Sequence, residues 1–166
     1  MALVTIIMGS VSDEEKVAPC MEILRSLAIS YSVTVSSAHR TPERTVEIVK
    51  KAEQDGCMVF ICAAGMAAHL AGAVAARTLK PVIGIPIGNQ GLAGMDALFS
   101  TVMMPPGFPV ATVALDKAGA RNAAWLAAQI LALSDADLAE KLREKRNAMR
   151  KDIEEKGAAL SAKYTV

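Results

Sequence analysis

Short apolar runs of strand length alternate with helical patterns along the chain, and this alternation is the feature that most limits the possible folds. Apolar runs of about four to eight residues between helices are typical of strands buried on both faces of a parallel sheet. The pattern therefore predicts an α/β fold with one doubly wound parallel sheet, a flavodoxin-like three-layer sandwich with a C-terminal helical extension. The five predicted strands are Leu3–Met8, Tyr31–Val35, Val59–Cys62, Pro81–Ile85 and Val110–Val113.

The helical segments carry recognisable start signals. Ser12 or Asp13 is expected to cap the first helix, and Thr41 followed by Pro42 is a typical start for the second. Ser134 and, three residues later, Asp137 match a capping box for a charged final helix. The first two predicted helices end at Leu27 and at Gly56. The later helices are predicted over Ala67–Thr78, Asp96–Val102, Asn122–Leu133 and Asp137–Lys156. Residues 1–156 are predicted to form one α/β catalytic domain, and 157–166 a loosely ordered tail.

Length and charge exclude several classes of protein. A chain of 166 residues with 52% apolar residues suffices for one domain with a sizeable core. Its 18 basic and 17 acidic side chains give a net charge of +1, which argues against nucleic acid as a partner. No run approaches the about 18 apolar residues of a membrane span, and the N-terminus does not resemble a signal peptide. The three cysteines form no C-x-x-C pair, which favours buried thiols in a reducing compartment, the cytoplasm.

Charge is distributed unevenly along the chain. The segment 57–136 contains only seven charged side chains in 80 residues. A monomer of this size must expose a large share of its surface, so such a segment is difficult to cover within one copy. We therefore expect a homo-oligomer, with a subunit interface around the alanine-rich helices.

The loops that follow the first three strands hold the residues best suited to chemistry. In doubly wound sheets, ligands bind outside the carboxyl ends of the strands. Both histidines of the chain, His39 and His69, lie in these loops. The neighbours Ser37 and Arg40 favour a functional role for His39 over that of a helix-flanking polar residue. For His69, in an alanine-rich turn, packing or capping is as plausible as catalysis.

The first loop has features of a phosphate site. Gly9 and Ser10 lead into a helix and offer backbone N–H groups, a hydroxyl and the positive end of a helix dipole. Arg40 adds a cationic fork, and Asp13 could accept hydrogen bonds from ribose, although the helix dipole alone also favours an acid there. Together these residues predict a pocket for a nucleoside monophosphate, with His39 as the general acid/base.

Other phosphate-binding and metal-dependent classes lack their motifs. The loop is not G-x-G-x-x-G, no acidic residue ends the second strand, and G-x-x-x-x-G-K-[ST] is absent, which argues against dinucleotide-binding and P-loop proteins. A receiver domain would need an aspartate where Cys62-Ala63-Ala64 stands. Because no cluster of His, Cys, Asp or Glu has the spacing of metal ligands, we predict neither a metal nor another cofactor.

Five strings make the chain resemble a known family. They are MGSVSD (8–13), SAHRTP (37–42), AGMAAHLAG (64–72), PVIGIP (81–86) and GMDALFSTVMMPPGFPVATVAL (94–115). Over about residues 3–133 the chain resembles the 5-(carboxyamino)imidazole ribonucleotide mutase (PurE) family of purine biosynthesis. The resemblance implies a homo-octamer that uses neither metal nor ATP. It implies transfer of a carboxylate from the exocyclic nitrogen to the ring carbon of an aminoimidazole ribonucleotide, with carbon dioxide as a trapped intermediate.

The resemblance also implies roles for individual residues. Ser10, Asp13 and Arg40 would bind the ribose phosphate, and His39 would be the general acid/base. Further pocket-lining residues would be Ser37, Gly65, Ala68 and His69. The chain departs from the family pattern at Met66, Ala71, Asn89, Ala97 and Met103. We interpret these departures as neutral drift within a working enzyme.

Two alternatives remain open. A relative could carboxylate the aminoimidazole ribonucleotide directly with carbon dioxide, or could act on a related nucleotide. A noncatalytic nucleotide-binding module is the alternative from another class, and the presence of His39 argues against it.

Overall fold

The computed structural model describes residues 2–89 and 91–164 and confirms the predicted fold class. Five parallel strands form one sheet in the order β2-β1-β3-β4-β5. The strands are β1 (Val4–Met8), β2 (Tyr31–Val35), β3 (Val59–Gly65), β4 (Val82–Ile87) and β5 (Ala111–Thr112). The helices are α1 (Glu14–Ser26), which follows a 3-10 turn at Val11–Asp13, α2 (Pro42–Gln54), α3 (Leu70–Ala75), α4 (Met95–Val102), α5 (Asp116–Leu131) and α6 (Ala136–Tyr164).

The core lies around the three central strands. Every residue of β1 and β4 is buried, as are the first five residues of β3. Ile6, Ile61 and Ile83 have no exposed surface, because helices cover both faces of a doubly wound sheet. In the edge strand β2, apolar and polar residues alternate, and the strand is half-exposed. The continuous apolar runs of the sequence therefore correspond to the interior strands.

The structure also bears on the predictions for the cysteines, for membrane-spanning helices and for metal ligands. All three cysteines are buried free thiols, and burial raises the pKa of Cys20 to about 12 and also raises the pKa of Cys62. Such thiols are poor nucleophiles, as predicted. Across 2–89 and 91–164, no helix has both the length and the apolar character needed to span a bilayer. Within the same ranges, no three His, Cys, Asp or Glu side chains are grouped as metal ligands.

The third strand and the helix after it differ from their predicted bounds. β3 continues to Gly65 because its last residues pair with β4 up to Ile87. A turn that contains Met66, with a left-handed φ of 55°, then delays α3 until Leu70 instead of Ala67. The helix also ends at Ala75, three residues before the predicted Thr78. His69 is the N-cap residue of α3, although its side chain makes no capping hydrogen bond.

The start of α5 was also predicted wrongly. It begins at Asp116, six residues before the predicted Asn122. Gly119 lies inside this helix. Position 119 requires glycine because a Cβ there would come within 1.6 Å of the Ala114 carbonyl oxygen. The close approach of the preceding loop therefore explains this glycine.

The final helix begins and ends differently from its prediction. The predicted capping box is wrong, because the carboxylate of Asp135 accepts the N–H of Leu138 at 2.9 Å, whereas Ser134 donates to the Leu131 carbonyl. The expected loose tail is also wrong over 157–164, where α6 continues to Tyr164. Ion pairs such as Asp152–Lys156 lie along the exposed helix.

The chain divides into two compact units, one that ends at Ile130 and one that begins at Leu131. The first unit contains the whole sheet and helices α1 to α4. The second contains α6. All residues of the candidate site belong to the first unit, so the site can be described within it.

Candidate active site

A cavity of about 690 Å³ opens at the carboxyl ends of β1, β2, β3 and β4. The strand order places β1 between β2 and β3, so the chain leaves β1 towards one side of the sheet and later returns on the other. Such a reversal leaves a crevice between the loops, where doubly wound proteins bind their ligands. A volume of several hundred cubic ångströms is typical of pockets for small ligands. The cavity therefore lies where the sequence pattern placed the functional loops.

The loop after β1 is shaped by its own hydroxyl groups. The Ser10 hydroxyl accepts the N–H of Ser12 at 3.3 Å and the Ser12 hydroxyl at 2.8 Å, and so caps the 3-10 turn. Asp13 follows with only 8% of its surface exposed. Burial raises the pKa of this carboxyl, while interactions with Ser10 and Ser12 and the charge of Lys16 act in the opposite direction. Asp13 is therefore a desolvated acceptor at the floor of the cavity.

A network of hydroxyl groups holds the loop after β2. The buried side chains of Ser36 and Thr45 lie 2.8 Å apart, and Ser36 also contacts the Thr41 hydroxyl at 3.2 Å. Thr41 in turn accepts the N–H of Ser37 at 3.0 Å, and the Ser37 hydroxyl accepts the N–H of Arg40 at 3.2 Å. The backbone that carries His39 and Arg40 is therefore fixed by hydrogen bonds within the loop and to the start of α2.

The two histidines of the chain are in contact. His39 Nε2 and His69 Nδ1 lie 2.7 Å apart, and the rings meet edge to face at an interplanar angle of 74°. At that distance one nitrogen must donate a proton and the other must accept it. The sequence places the two residues in separate loops, and the structure shows that they form one pair. Both side chains are exposed to the cavity mouth.

The loop after β3 supplies a wall of small side chains. A Cβ at Gly65 would come within 2.9 Å of the Ile87 carbonyl oxygen, so this position requires glycine for close approach of β4. Ala64 and Ala67 line the cavity beside it, whereas Ala68 is buried and does not line the cavity. Met66 is 68% exposed and lines the rim.

Most of the candidate residues meet in the cavity. The lining includes Ser10, Asp13, Ser37, His39, Arg40, Gly65 and His69. The departures from the family pattern are dispersed. Met66 and Asn89 line the cavity, whereas Ala71 and Ala97 are buried in the interior and Met103 is exposed outside the lining.

Sequence reasoning missed part of the lining. Lys16 lies three residues after Asp13 at the start of α1, a spacing that places both residues on one face of a helix and could have indicated it. Gly88 and Asn89, which follow β4, form a further wall. Asn89 is held in place by donating to the Asp96 carboxylate at 3.1 Å and accepting the N–H of Gly91 at 2.9 Å.

The arrangement combines three chemical capacities. A proton can be exchanged at the histidine pair, an anion can be bound by Arg40 and the backbone near Ser10, and hydroxyl groups can donate to Asp13. These capacities suit a small anionic ligand that carries hydroxyl groups and reacts through proton transfer.

Comparisons with known proteins agree with this geometry. The family model described as AIR carboxylase matches residues 3–152. The N5-carboxyaminoimidazole ribonucleotide mutase of Pyrococcus horikoshii is 49% identical over 158 residues, covering 95% of this chain and 88% of the relative. The Escherichia coli K12 protein of the same name is 47% identical over 152 residues, covering 92% and 90%. The crystal structure of Treponema denticola PurE superposes with a TM-score of 0.87 at 30% identity over 100% of both chains. The chain therefore belongs to the AIR carboxylase family.

Proposed function

We propose that this chain is an N5-carboxyaminoimidazole ribonucleotide mutase of purine biosynthesis. The observation that carries the proposal is the pairing of His39 with His69 in a nucleotide-sized cavity that also contains Arg40 and Asp13. The relatives named for this activity match more than nine-tenths of the chain. The proposed substrate is a ribonucleotide with one phosphate and one carboxylate, and the reaction is an isomerisation.

Three residues are proposed to bind the ribose phosphate. Ser10 lies at the start of a helical segment, where the helix dipole favours an anion, and Arg40 supplies the opposite charge. Asp13 accepts hydrogen bonds from the ribose hydroxyls, for which its buried position is suited because few water molecules compete there.

The proposed reaction uses His39 twice. The imidazolium of His39 donates a proton to the exocyclic nitrogen as the N–C bond to the carboxylate breaks, which releases carbon dioxide and a free amine. The ring carbon then attacks the trapped carbon dioxide and forms a new C–C bond. Neutral His39 removes the proton left on that carbon, which restores the aromatic ring and the imidazolium. His39 gives up one proton and regains one, and the carboxylate moves from the nitrogen to the ring carbon, so the proposed reaction requires no cofactor.

Small side chains are proposed to confine the carbon dioxide. Ala64, Gly65 and Ala67 line the cavity close to β3 and offer no group that could hydrate or bind the gas. A dry wall of this kind favours recarboxylation over escape into water. Glycine at position 65 is fixed by the nearby Ile87 carbonyl, so this wall cannot easily gain bulk.

His69 is proposed as a positioning residue for His39. Because Nε2 of His39 contacts His69, the exchange of protons with the substrate falls to Nδ1 of His39. When His39 is an imidazolium, its Nε2–H donates to Nδ1 of His69, which stabilises the charge and fixes the ring orientation.

Replacement of His69 tests this role. We expect His69→Phe to lower kcat about 10- to 100-fold with little change in KM, the usual loss when a partner that orients a catalytic group is removed. His69→Gln, which keeps an acceptor, should restore part of the rate. An unchanged kcat in a folded His69→Phe protein, or no recovery in His69→Gln, would contradict the proposal.

One assay tests the proposed activity against its alternatives. Purified protein is incubated without ATP, either with the carboxyamino nucleotide or with the decarboxylated nucleotide and bicarbonate. Product from the first substrate supports the mutase. Product from the second alone would indicate direct carboxylation, an alternative favoured by the description of the matching family. Binding without product from either substrate would indicate a noncatalytic module.

We further propose that the chain forms a homo-oligomer, an octamer by its resemblance to the family. The support comes from α4, where Met95, Phe99 and Val102 expose about half of their surface at helical spacing, followed by the more exposed Met103. Exposed apolar stripes of this kind mark interfaces. The alanines of α5, expected at the interface, are instead buried within a single copy. Light scattering that gives a monomeric mass would contradict the proposal.

The cytoplasm is proposed as the compartment. The support is chemical, since three buried thiols without a disulfide suit a reducing environment.

A further inference from the structure

Gly88, in the cavity wall that follows β4, is held on both sides by one ion pair. The ammonium of Lys16 donates to the Gly88 carbonyl at 2.5 Å, and Asp116 Oδ1 accepts the Gly88 N–H at 2.9 Å. Lys16 and Asp116 also contact each other at 3.0 Å. The three groups therefore close a ring of hydrogen bonds between α1, the loop after β4 and the start of α5.

The backbone of Asp116 indicates that this ring is a built feature. Asp116 adopts a left-handed φ of 53°, which is unfavourable for a residue with a side chain, although Asp tolerates it better than most. Such conformations persist where surrounding contacts hold them, and they are frequent at functional sites. The fit is close, because a Cβ at Gly88 would lie 3.0 Å from Asp116 Oδ2.

The ring faces the ligand cavity. Lys16, Gly88 and Asn89 all line it, and Lys16 lies next to Asp13 on the same helix face. Asp13 also lines the cavity and Asp116 does not, and the charge of Lys16 acts on the Asp13 carboxylate. The Lys16 charge therefore serves both the wall and the floor of the cavity.

We propose that Lys16 and Asp116 form a clamp on Gly88 that positions the Gly88–Asn89 wall against the bound ribonucleotide. Both are positioning residues, and the inference rests on the proposed mutase function. A misplacement of about 1 Å at a reacting centre can cost about 10²-fold in rate, so the clamp is expected to act on kcat.

Two simpler roles for Lys16 must be distinguished from a clamp. Lys16 could attract the anionic substrate by charge alone, or the ion pair could merely join α1 to α5. The chain offers a control for the second role. Lys117 and Glu15 form a parallel ion pair at 2.6 Å between the same two helices, and neither residue lines the cavity.

The test compares kcat, KM and thermal stability for five variants. We expect Lys16→Met and Asp116→Gly to lower kcat about 10- to 100-fold, and Asp116→Asn, which keeps an acceptor for the Gly88 N–H, to lower it less. The double variant Lys16→Met/Asp116→Gly should be no worse than either single variant, because the two residues act as one unit. Lys117→Ala should retain full activity. Asp116→Gly removes the unfavourable φ, so unfolding should not explain its loss of activity.

Different results would overturn the clamp. If Lys16 acts only by charge, Lys16→Met raises KM alone, and Asp116→Asn lowers KM because the ammonium is released. If the ion pair only joins the helices, Lys117→Ala loses as much activity as Lys16→Met. Either pattern contradicts the proposal.

A measurement without substrate separates the clamp from the proposed function. Hydrogen exchange at the Gly88 amide should be faster in Lys16→Met and Asp116→Gly than in the parent protein and unchanged in Lys117→Ala. Faster exchange in an enzyme without mutase turnover would refute the function and leave the clamp standing. Unchanged exchange in all variants would refute the clamp whatever the activity.

Discussion

Replacement of His39 by asparagine is expected to lower kcat for the mutase reaction about 10²- to 10⁴-fold, the usual contribution of a general acid/base. Asparagine has a similar size and can donate and accept hydrogen bonds, but it cannot exchange a proton near neutral pH. The variant leaves Ser10, Asp13 and Arg40, the proposed phosphate and ribose ligands, unchanged. Binding of the ribonucleotide, measured by calorimetry, should therefore change little while turnover is lost.

The matched control for this variant is His69→Asn. It removes the other ring of the same pair, so both variants lose the 2.7 Å contact, but only His39→Asn loses the proposed general acid/base. His39→Asn should be the slower enzyme. Equal rates for the two variants would assign proton transfer to the pair and not to His39, and full turnover by folded His39→Asn would exclude His39 from the chemistry.

Arg40→Met is expected to raise KM for the ribonucleotide about 10- to 100-fold with a smaller effect on kcat. Hydrogen bonds to a charged group contribute about 1.5–3 kcal/mol, and about 1.4 kcal/mol corresponds to a tenfold change. Because the phosphate is remote from the reacting atoms, most of the loss should appear in binding. Steady-state kinetics with the carboxyamino nucleotide measures both constants.

Arg44→Met is the control for Arg40. Arg44 lies one turn later and donates to the Val35 carbonyl at 3.1 Å, outside the cavity lining. It should leave KM unchanged. A substrate analogue without the phosphate gives a second check, since Arg40→Met should bind it as well as the parent protein does. If both arginine variants show the same KM, general charge and not a phosphate contact explains the effect.

The fold could be predicted largely because the interior strands are apolar throughout. The bounds of β3 could not, since Ala63-Ala64-Gly65 has no strand signature and becomes strand by pairing with its neighbours, Ala63 with β1 and all three residues with β4. The start of α5 at Asp116 was also missed, and the glycine at position 119 is explained only by the close approach of the Ala114 carbonyl.

The parts of the candidate site that consist of consecutive residues could be predicted from the sequence. The loop around His39 and Arg40 has its motif in consecutive positions, as does the loop that starts at Gly9. The contact between Lys16 and Gly88 joins residues 72 positions apart, so no local pattern could reveal it. The pairing of His39 with His69, 30 positions apart, also depends on the packing of two loops. The contacts between distant residues therefore remained outside the prediction, although both histidines had been predicted individually as candidate site residues.

The hydrogen-bonded hydroxyl groups of Ser36 and Thr45 affect how much of the free energy of substrate binding is lost in ordering the His39 loop. Ser36 and Thr45 are buried and hydrogen-bonded to each other, so folding of the chain itself orders the loop that carries His39. A ligand then meets a rigid surface and does not have to order it. If Arg40 binds the phosphate as proposed, more of that attraction is left to drive water away from the substrate carboxylate, and the proposed loss of that carboxylate as a neutral gas is easier in a dry site.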